Sequence, residues 1–410
     1  MNPDTPVPKG WNAEACKLWA SGQQKDAIQT VITRVNTEPG PPTPLAMQLS
    51  YYLIMLDDYR SGATVLASIL QREPDYLEAR INLAVCHSRG GDPARAIEQA
   101  SLVLQKDPDN ALAHDILTSA WSKLGNADEA RRSGALALVL KDRATGPNPP
   151  GWVLPQTSPA AMARQPGKKH VISYSLWGKQ PRYLRGALRN ALLAPDLYPG
   201  WVCRFHVDSS VPADFLQALQ LAGAEVVREA DGQSLRQKLC WRFRVANDPG
   251  TGYFLVRDVD SVIGIREKRA VDAWLESDRW FHVMRDWWTH TDLILAGMWG
   301  GVAGVLPNLP QLLAAYKSGK AETPNIDQWF LRDRVWPLLR QSVLMHDRCF
   351  TPPGALPFPG DIPAGNYHVG QDEIAVRSEF QERLLSAWIE RYPSLGGFLH
   401  NRPPEPATSA

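Results

Sequence analysis

Cysteine is scarce and unpatterned in this chain of 410 residues: five in all, Cys16, Cys86, Cys203, Cys240 and Cys349, with no C-x-x-C pair. That supports neither a disulfide framework nor a thiolate zinc centre, and buried reduced thiols are the expectation. Net charge is missing too. Lys and Arg number 44 against 43 Asp and Glu, leaving +1, so there is no electrostatic footprint for nucleic acid and none is expected as a partner. No apolar run is long enough to span a bilayer. Residues 1–6 lack the basic and apolar regions of a secretory signal. The expected location is the cytoplasm, with peripheral attachment at the inner membrane left open. The glycine-rich run 296–304 is not followed by Gly-Lys-Ser/Thr, which excludes a P-loop. It reads as backbone close to a bound ligand, or as a tight turn. What is present is a globular composition, at a length suited to two or three domains.

The first third repeats itself. Pro74 and Asp75 recur as Pro108 and Asp109, an offset of 34 residues. At the same offset Ala79 aligns with Ala113, Leu83 with Leu117, Gly91 with Gly125 and Ala96 with Ala130. Each unit reads as two short amphipathic helices, with a glycine-containing turn between them and small residues where they cross. An earlier copy runs over 44–73, with Ala63 and Ala67 as its small residues. A more degenerate one covers 11–36, with Ala27. One unit cannot bury its own apolar face, so at least three must stack, and three to four are present. Period and small positions resemble the tetratricopeptide repeat. That resemblance implies an all-α solenoid over 10–142 whose concave surface takes a protein partner. An appendage that stabilises or dimerises the rest of the chain is the alternative.

Residues 143–169 break the pattern. Pro147, Pro149, Pro150, Pro155 and Pro159 cannot continue a helix, so this is read as an interdomain linker, partly packed through Trp152. From His170 strands and helices alternate. Strands are expected at 171–177, 201–208, 224–228 and 253–257, and a further strand-like run at 280–284. Helices are expected at 183–193, 213–222 and 235–247. Such alternation implies a mostly parallel sheet covered on both faces over 170–400, with 401–410 as a flexible tail. In open sheets of this kind ligands bind beyond the carboxyl ends of the strands.

The fourth of those strands ends in Arg257, Asp258, Val259 and Asp260. Two carboxylates one residue apart at a strand end can converge on one point. Two hard oxygen ligands suit Mg²⁺ or Mn²⁺, which then holds a diphosphate. An Asp-rich turn accepting local backbone hydrogen bonds is the plain alternative. Three strand–helix units precede the D-x-D, and Arg266, Glu267 and the patterns at 281–286 and 297–300 follow it. With these, the stretch 170–371 resembles a nucleotide-sugar glycosyltransferase of the GT-A type, within a bacterial group of which some members carry tetratricopeptide repeats. The resemblance implies a multidomain chain: a tetratricopeptide-repeat solenoid followed by an α/β GT-A (nucleotide-diphospho-sugar transferase-like) domain. It implies metal-dependent transfer of a sugar from a nucleotide donor, a UDP-sugar foremost, to a hydroxyl of a glycan or glycolipid precursor. Two readings stand beside it: a repeat-based adaptor with an inactive transferase-like domain, and a D-x-D phosphatase of haloacid-dehalogenase type. The latter normally places the D-x-D strand first in the domain.

Roles follow on that resemblance. Asp258 and Asp260 would hold the metal, and His368, in a glycine-flanked loop, is a third ligand candidate or an ordinary histidine. Ser173 and Trp177 would lie on the donor edge. Arg257 and Arg285, each beside an aspartate, would steady phosphate or pair with carboxylates. Lys238 and Arg242, four apart on one helix face, would contact the donor or solvent. Asp286 and Asp327 are the candidate acceptor-deprotonating carboxylates, although Asp327 also sits where it would cap a helix. Fifteen tryptophans, with Trp280, Trp287, Trp288 and Trp299 close in sequence, are expected to be mostly core, one or two lining a saccharide cleft.

Overall fold

The computed structural model describes residues 7–37, 43–319, 323–371 and 379–396. The expected tail, 401–410, lies outside the described residues. The chain forms two units. The first comprises 1–146 with the segments 288–293 and 317–329; the second comprises the remainder.

In the first unit the 34-residue offset becomes helix pairs. These are α1 (Ala13–Ala20) with α2 (Gln24–Thr37), α3 (Thr43–Met55) with α4 (Tyr59–Arg72), α5 (Leu77–Arg89) with α6 (Pro93–Lys106), and α7 (Ala111–Lys123) with α8 (Ala127–Ala144). Asp58, Asp92 and Asn126 recur at the repeat period. Each caps the second helix of its pair by accepting a backbone N–H three residues on. The preceding turn residue is left-handed each time: Asp57 at φ 60, Gly91 at φ 86 and Gly125 at φ 78, with Gly22 at φ 84 in the first pair. Ala79, Ala96, Ala113 and Ala130 are fully buried, which lets the helix backbones approach. In the second pair the small residue at the crossing is Gly62, whose added Cβ would stand 3.3 Å from Cys86 Sγ. The expected Ala63 is only partly buried and Ala67 is exposed. An alignment shifted by one residue accounts for the difference.

The second unit is a mixed sheet with helices. Its strands are β1 (Lys169–Leu176), β2 (Trp201–Val207), β3 (Glu225–Arg228), β4 (Thr251–Arg257), β5 (Phe281–Arg285), β6 (Met298–Val302), β7 (Val343–Asp347) and β8 (Ala355–Leu356). They lie in the order β3-β2-β1-β4-β6-β5-β7-β8. All pair in parallel except β6, which runs antiparallel to both neighbours. The carboxyl ends of β1, β2, β4, β5 and β7 therefore share one edge.

Within the glycine-rich run, Met298–Val302 is the buried strand β6, and the expected tight turn is found at its two ends, 296–297 and 303–304. A Cβ on Gly301 would fall 2.7 Å from the Phe281 ring, and one on Gly300 would fall 2.5 Å from the Phe254 carbonyl oxygen. Only glycine lets β6 sit between those neighbours.

Helix α9 (Pro159–Ala163) lies in the expected linker, where Trp152 Nε1 donates to the Val305 carbonyl at 3.1 Å. Helices α10 (Pro181–Leu197), α11 (Ala213–Leu221) and α12 (Leu235–Cys240) connect the first four strands, and α13 (Ile265–Leu275) follows the D-x-D. The helix expected over 235–247 is α-helical only to Cys240 and continues as a 3₁₀ turn, Trp241–Asn247. At that change the Arg242 N–H donates to Ser175 Oγ of β1 at 3.1 Å.

Candidate functional site

The site is the loop after β4, and α10 shapes it. Arg182, Gly186 and Asn190 are spaced four apart and share one helix face. A Cβ on Gly186 would stand 2.3 Å from the Val259 carbonyl oxygen, so the helix backbone lies directly on the D-x-D. Asn190 is fully buried. Its Nδ2 donates to the Ser261 carbonyl at 2.9 Å, and its Oδ1 accepts the Ile263 N–H at 2.9 Å. Gly297 closes the loop from the β6 side, where a Cβ would fall 2.1 Å from Asp258 Oδ2. Ser261 Oγ donates to the Gly370 carbonyl at 3.0 Å, tying in the segment that contains His368.

Both carboxylates of the D-x-D are clamped by arginines. Arg242 Nη1 bonds Asp258 Oδ1 and, at 3.3 Å, the Arg257 carbonyl. Arg182 Nη2 bonds Asp260 Oδ2. The Asp258 side chain is 46% exposed and that of Asp260 15%. Burial, and then the neighbouring Asp258 charge, raise the Asp260 carboxyl above its ordinary pKa.

Along the same edge, beyond β2, Asp208 is almost fully buried and accepts Lys238 Nζ at 2.6 Å. Burial disfavours its charge, but Lys238 and Ser210 outweigh this and hold its pKa low. Ser210 Oγ bonds Asp208 and accepts the Gly178 N–H at 2.7 Å. Trp177 packs edge-on against Trp241, with ring centroids 6.2 Å apart. The edge thus joins Trp177, Gly178, Asp208, Ser210 and Lys238. Ser173 is not among them. It is fully buried within β1, three residues short of the strand end, and its Oγ has no partner among the described residues.

The remaining expected residues form a buried ionic lattice beneath the edge. Arg257 Nε pairs with Glu267 at 2.9 Å, and Tyr198 Oη donates to the same carboxylate at 3.0 Å. Arg285 pairs with Asp347 at 2.8 Å. Both arginines are 2% exposed, which answers the phosphate expectation: their guanidinium groups serve internal carboxylates. Asp286 is fully buried. Arg266 grips it with two bonds, 2.8 and 2.9 Å, and the Val369 N–H adds a third at 2.9 Å. A carboxylate held this way ties α13 to the segment around Val369, and its full burial keeps it from a substrate hydroxyl. Asp327 belongs to the first unit, lies in the first turn of Ile326–Phe330, and accepts the Gln328 N–H at 2.9 Å.

His368 stacks on Trp287 with centroids 4.6 Å apart, and its Nδ1 lies 2.7 Å from the Asn366 carbonyl. Burial lowers the pKa of this imidazole. The described residues contain no group of three or more His, Cys, Asp or Glu able to hold a metal. Asp258, Asp260 and His368 therefore do not meet as a trio. Of the tryptophans named from sequence, Trp280 and Trp299 are core.

Sequence reading missed Arg182, Gly186, Asn190, Asp208 and Arg266. Gly186 and Asn190 lay four apart on the expected helix 183–193, and Arg182, four residues before Gly186, fell one residue ahead of its expected start.

No curated protein matches this chain. Among solved structures, MamA MSR-1 C2 is 17% identical over 32% of this chain and 75% of its own, with a TM-score of 0.30. YrrB, a TPR protein with an unusual peptide-binding site, is 17% identical over 31% and 64%, with a TM-score of 0.29. A mutant of the Thermobaculum terrenum O-GlcNAc transferase is 18% identical over 59% of this chain, which spans 44% of that one, with a TM-score of 0.40. Overlaps of this size carry no argument about site or activity. Residues 53–120 match the tetratricopeptide-repeat family, so the N-terminal region of this chain carries tetratricopeptide repeats.

Proposed function

We propose that the second unit is a GT-A-type, metal-dependent glycosyltransferase, moving a sugar from a nucleoside-diphosphate donor, a UDP-sugar foremost, to a hydroxyl of a glycan or glycolipid precursor. One observation carries the reading. The D-x-D leaves β4 beside the carboxyl end of β1, where the order β3-β2-β1 turns back to β4. That switch point is where open sheets of this kind bind nucleotides.

The residues fit a divalent cation. Asp258 and Asp260 offer two hard carboxylate oxygens on one loop, Asp258 half-exposed. Mg²⁺ commonly takes one or two carboxylates, with substrate phosphates and waters completing its shell. Such a metal, or Mn²⁺ in its place, would neutralise charge on the departing diphosphate. Arg182 and Arg242 would add positive charge beside it, and Lys238, Asp208 and Trp177 would face the nucleoside end. Asn190, Gly186 and Gly297 hold the loop's shape, and Arg266 fixes Asp286. The repeat unit would take a peptide or protein partner.

A second reading is supported by the arginine clamps. A D-x-D whose two carboxylates are both ion-paired is what an inactive domain on a repeat adaptor would also contain. Calorimetry of UDP and GDP with Mn²⁺, on wild type and on the Asp258→Ala, Asp260→Ala double variant, separates the two. Metal-dependent binding abolished in the variant supports the transferase. A folded wild type that binds neither nucleotide supports the adaptor. Among the described residues no helix is long and apolar enough to cross a membrane.

A further inference from the structure

Two arginines neutralise the D-x-D, but they are not equivalent. Arg242 is buried, with its side chain 5% exposed, and its Nη1 is shared between Asp258 and the Arg257 carbonyl. It is fixed by the 3₁₀ turn that packs on β1. Arg182 is 41% exposed, in the first turn of α10, and its guanidinium reaches Asp260 from the open side. Asp260 itself is largely enclosed. A cation approaching it meets a carboxylate whose charge is already satisfied by Arg182.

We infer that Arg182 is an exchange group: it leaves Asp260 for the diphosphate when donor and metal enter together. The inference rests on the nucleotide-binding reading above. A bare divalent cation must displace the guanidinium from Asp260 and loses that ion pair. A diphosphate arriving with the cation offers the guanidinium a bidentate anionic partner in return. Asp260 is thereby released to the metal at the moment Arg182 gains phosphate. Each ligand opens the other's place, so the two bind with positive coupling, which must be reciprocal. Arg242 stays on Asp258 throughout and holds that carboxylate in place.

The test measures binding, not turnover. Mn²⁺ affinity is followed by electron paramagnetic resonance with and without UDP, and UDP affinity by calorimetry with and without Mn²⁺. Wild type is expected to bind Mn²⁺ at least tenfold tighter with UDP present. In Arg182→Gln, Mn²⁺ alone should bind at least tenfold tighter than in wild type. UDP with Mn²⁺ should bind weaker, and the coupling should shrink to the part that direct contact between metal and diphosphate supplies. Arg182→Lys should keep part of the coupling. Arg182 is exposed, so the variants should fold, and thermal melting checks this. Unchanged affinity for Mn²⁺ alone in Arg182→Gln overturns the exchange, as does tighter Mn²⁺ with undiminished UDP binding. Both of those failures occur in a protein that binds UDP. Failure of the underlying reading is distinct, because wild type then binds no nucleotide under any condition, and the exchange falls with it.

Discussion

Gly186 on α10 lies so close to Val259 that a Cβ there would stand 2.3 Å from its carbonyl oxygen and 2.8 Å from the Asp260 Cα. Both are backbone atoms and cannot rotate aside. Gly297 does the same from the turn before β6, where a Cβ would fall 2.7 Å from the Asp258 backbone nitrogen. The D-x-D loop is therefore shaped by two missing side chains. Gly186→Ala should destabilise the protein by about 1–3 kcal/mol, the usual range for overpacking, and should weaken nucleotide binding by moving Asp260. Gly297→Ala should act on Asp258 in the same way. Urea unfolding and calorimetry of UDP with Mn²⁺ check both. Native stability in Gly186→Ala would mean that α10 stands off the loop.

A second prediction concerns the repeat unit. Lys141, 8% exposed, bonds Asp115 at 2.7 Å, Asp292 at 3.0 Å and the Thr291 carbonyl at 2.9 Å. It ties the 288–293 segment to α7 and α8. Burial works against its charge, but Asp292 and Asp115 together outweigh that and raise the Lys141 pKa. Burial also lifts the Asp115 carboxyl against the pull of Lys141. A position between two carboxylates decides for the charged ammonium. Removing one partner of a buried pair costs about 3–5 kcal/mol. The low end applies here, because Asp115 and Asp292 keep some exposure. Lys141→Met should lose about 3 kcal/mol by that principle, and adding Asp115→Asn and Asp292→Asn should restore part of it. Hydrogen exchange should quicken over 288–293 in the single variant. Unaltered exchange there would show that Lys141 does not hold the segment.

The third follows from a buried histidine pair. His282 Nε2 and His346 Nδ1 lie 2.8 Å apart between β5 and β7, with Trp274 stacked on His282 and Phe358 against His346. Burial lowers both pKa values, His282 far below 6.5 and His346 to about 4. His346 and Arg257 press further on His282, and Arg266 on His346. These are bases with folded pKa values below their unfolded ones. As pH falls the unfolded chain takes protons first. The stability from keeping the pair neutral is complete above the unfolded value of 6.5 and is lost as pH drops toward about 4. His346→Gln removes one of the two sites. Its plot of unfolding free energy against pH should be shallower in that window by up to about 1.4 kcal/mol per pH unit. Identical slopes would show that the pair is not held neutral.

Much of this fold was readable because local pattern and tertiary role agree. The runs at 171–176 and 253–257 are apolar and β-prone, and they are buried strands. The 34-residue offset fixed the helix pairs, since each unit needs the same small residues at its crossing. Strand β6 was not readable. Its glycines have low strand propensity, and their reason, the Phe254 and Phe281 rings, lies on other strands. Ion partners were hidden for a related cause. Arg257 stands beside Asp258 in sequence yet pairs with Glu267, and Asp286 stands beside Arg285 yet pairs with Arg266. Which buried charges meet depends on sheet order and on how α13 packs, and neither is written in sequence spacing. The D-x-D was legible as a motif, whereas its arginine clamps come from α10 and the turn after α12.

The repeat turns supply a last prediction. Gly22, Gly91 and Gly125 occupy the left-handed turn residue in three helix pairs, and Asp57 occupies it in the remaining one, the second, at φ 60. For a residue with a Cβ that region is disfavoured by about 1–2 kcal/mol, somewhat less for Asp. Glycine carries no such penalty but has more backbone freedom to lose on folding. The carboxylate of Asp57 accepts the Tyr59 hydroxyl, an exposed contact of small worth. The steric relief therefore wins. Asp57→Gly should stabilise the repeat unit by about 0.5–1 kcal/mol and raise its melting temperature. Asp57→Val, β-branched at the same φ, should do the opposite. Circular dichroism melts of both variants against wild type check the sign. A loss of stability in Asp57→Gly would show that the Tyr59 contact outweighs the strain.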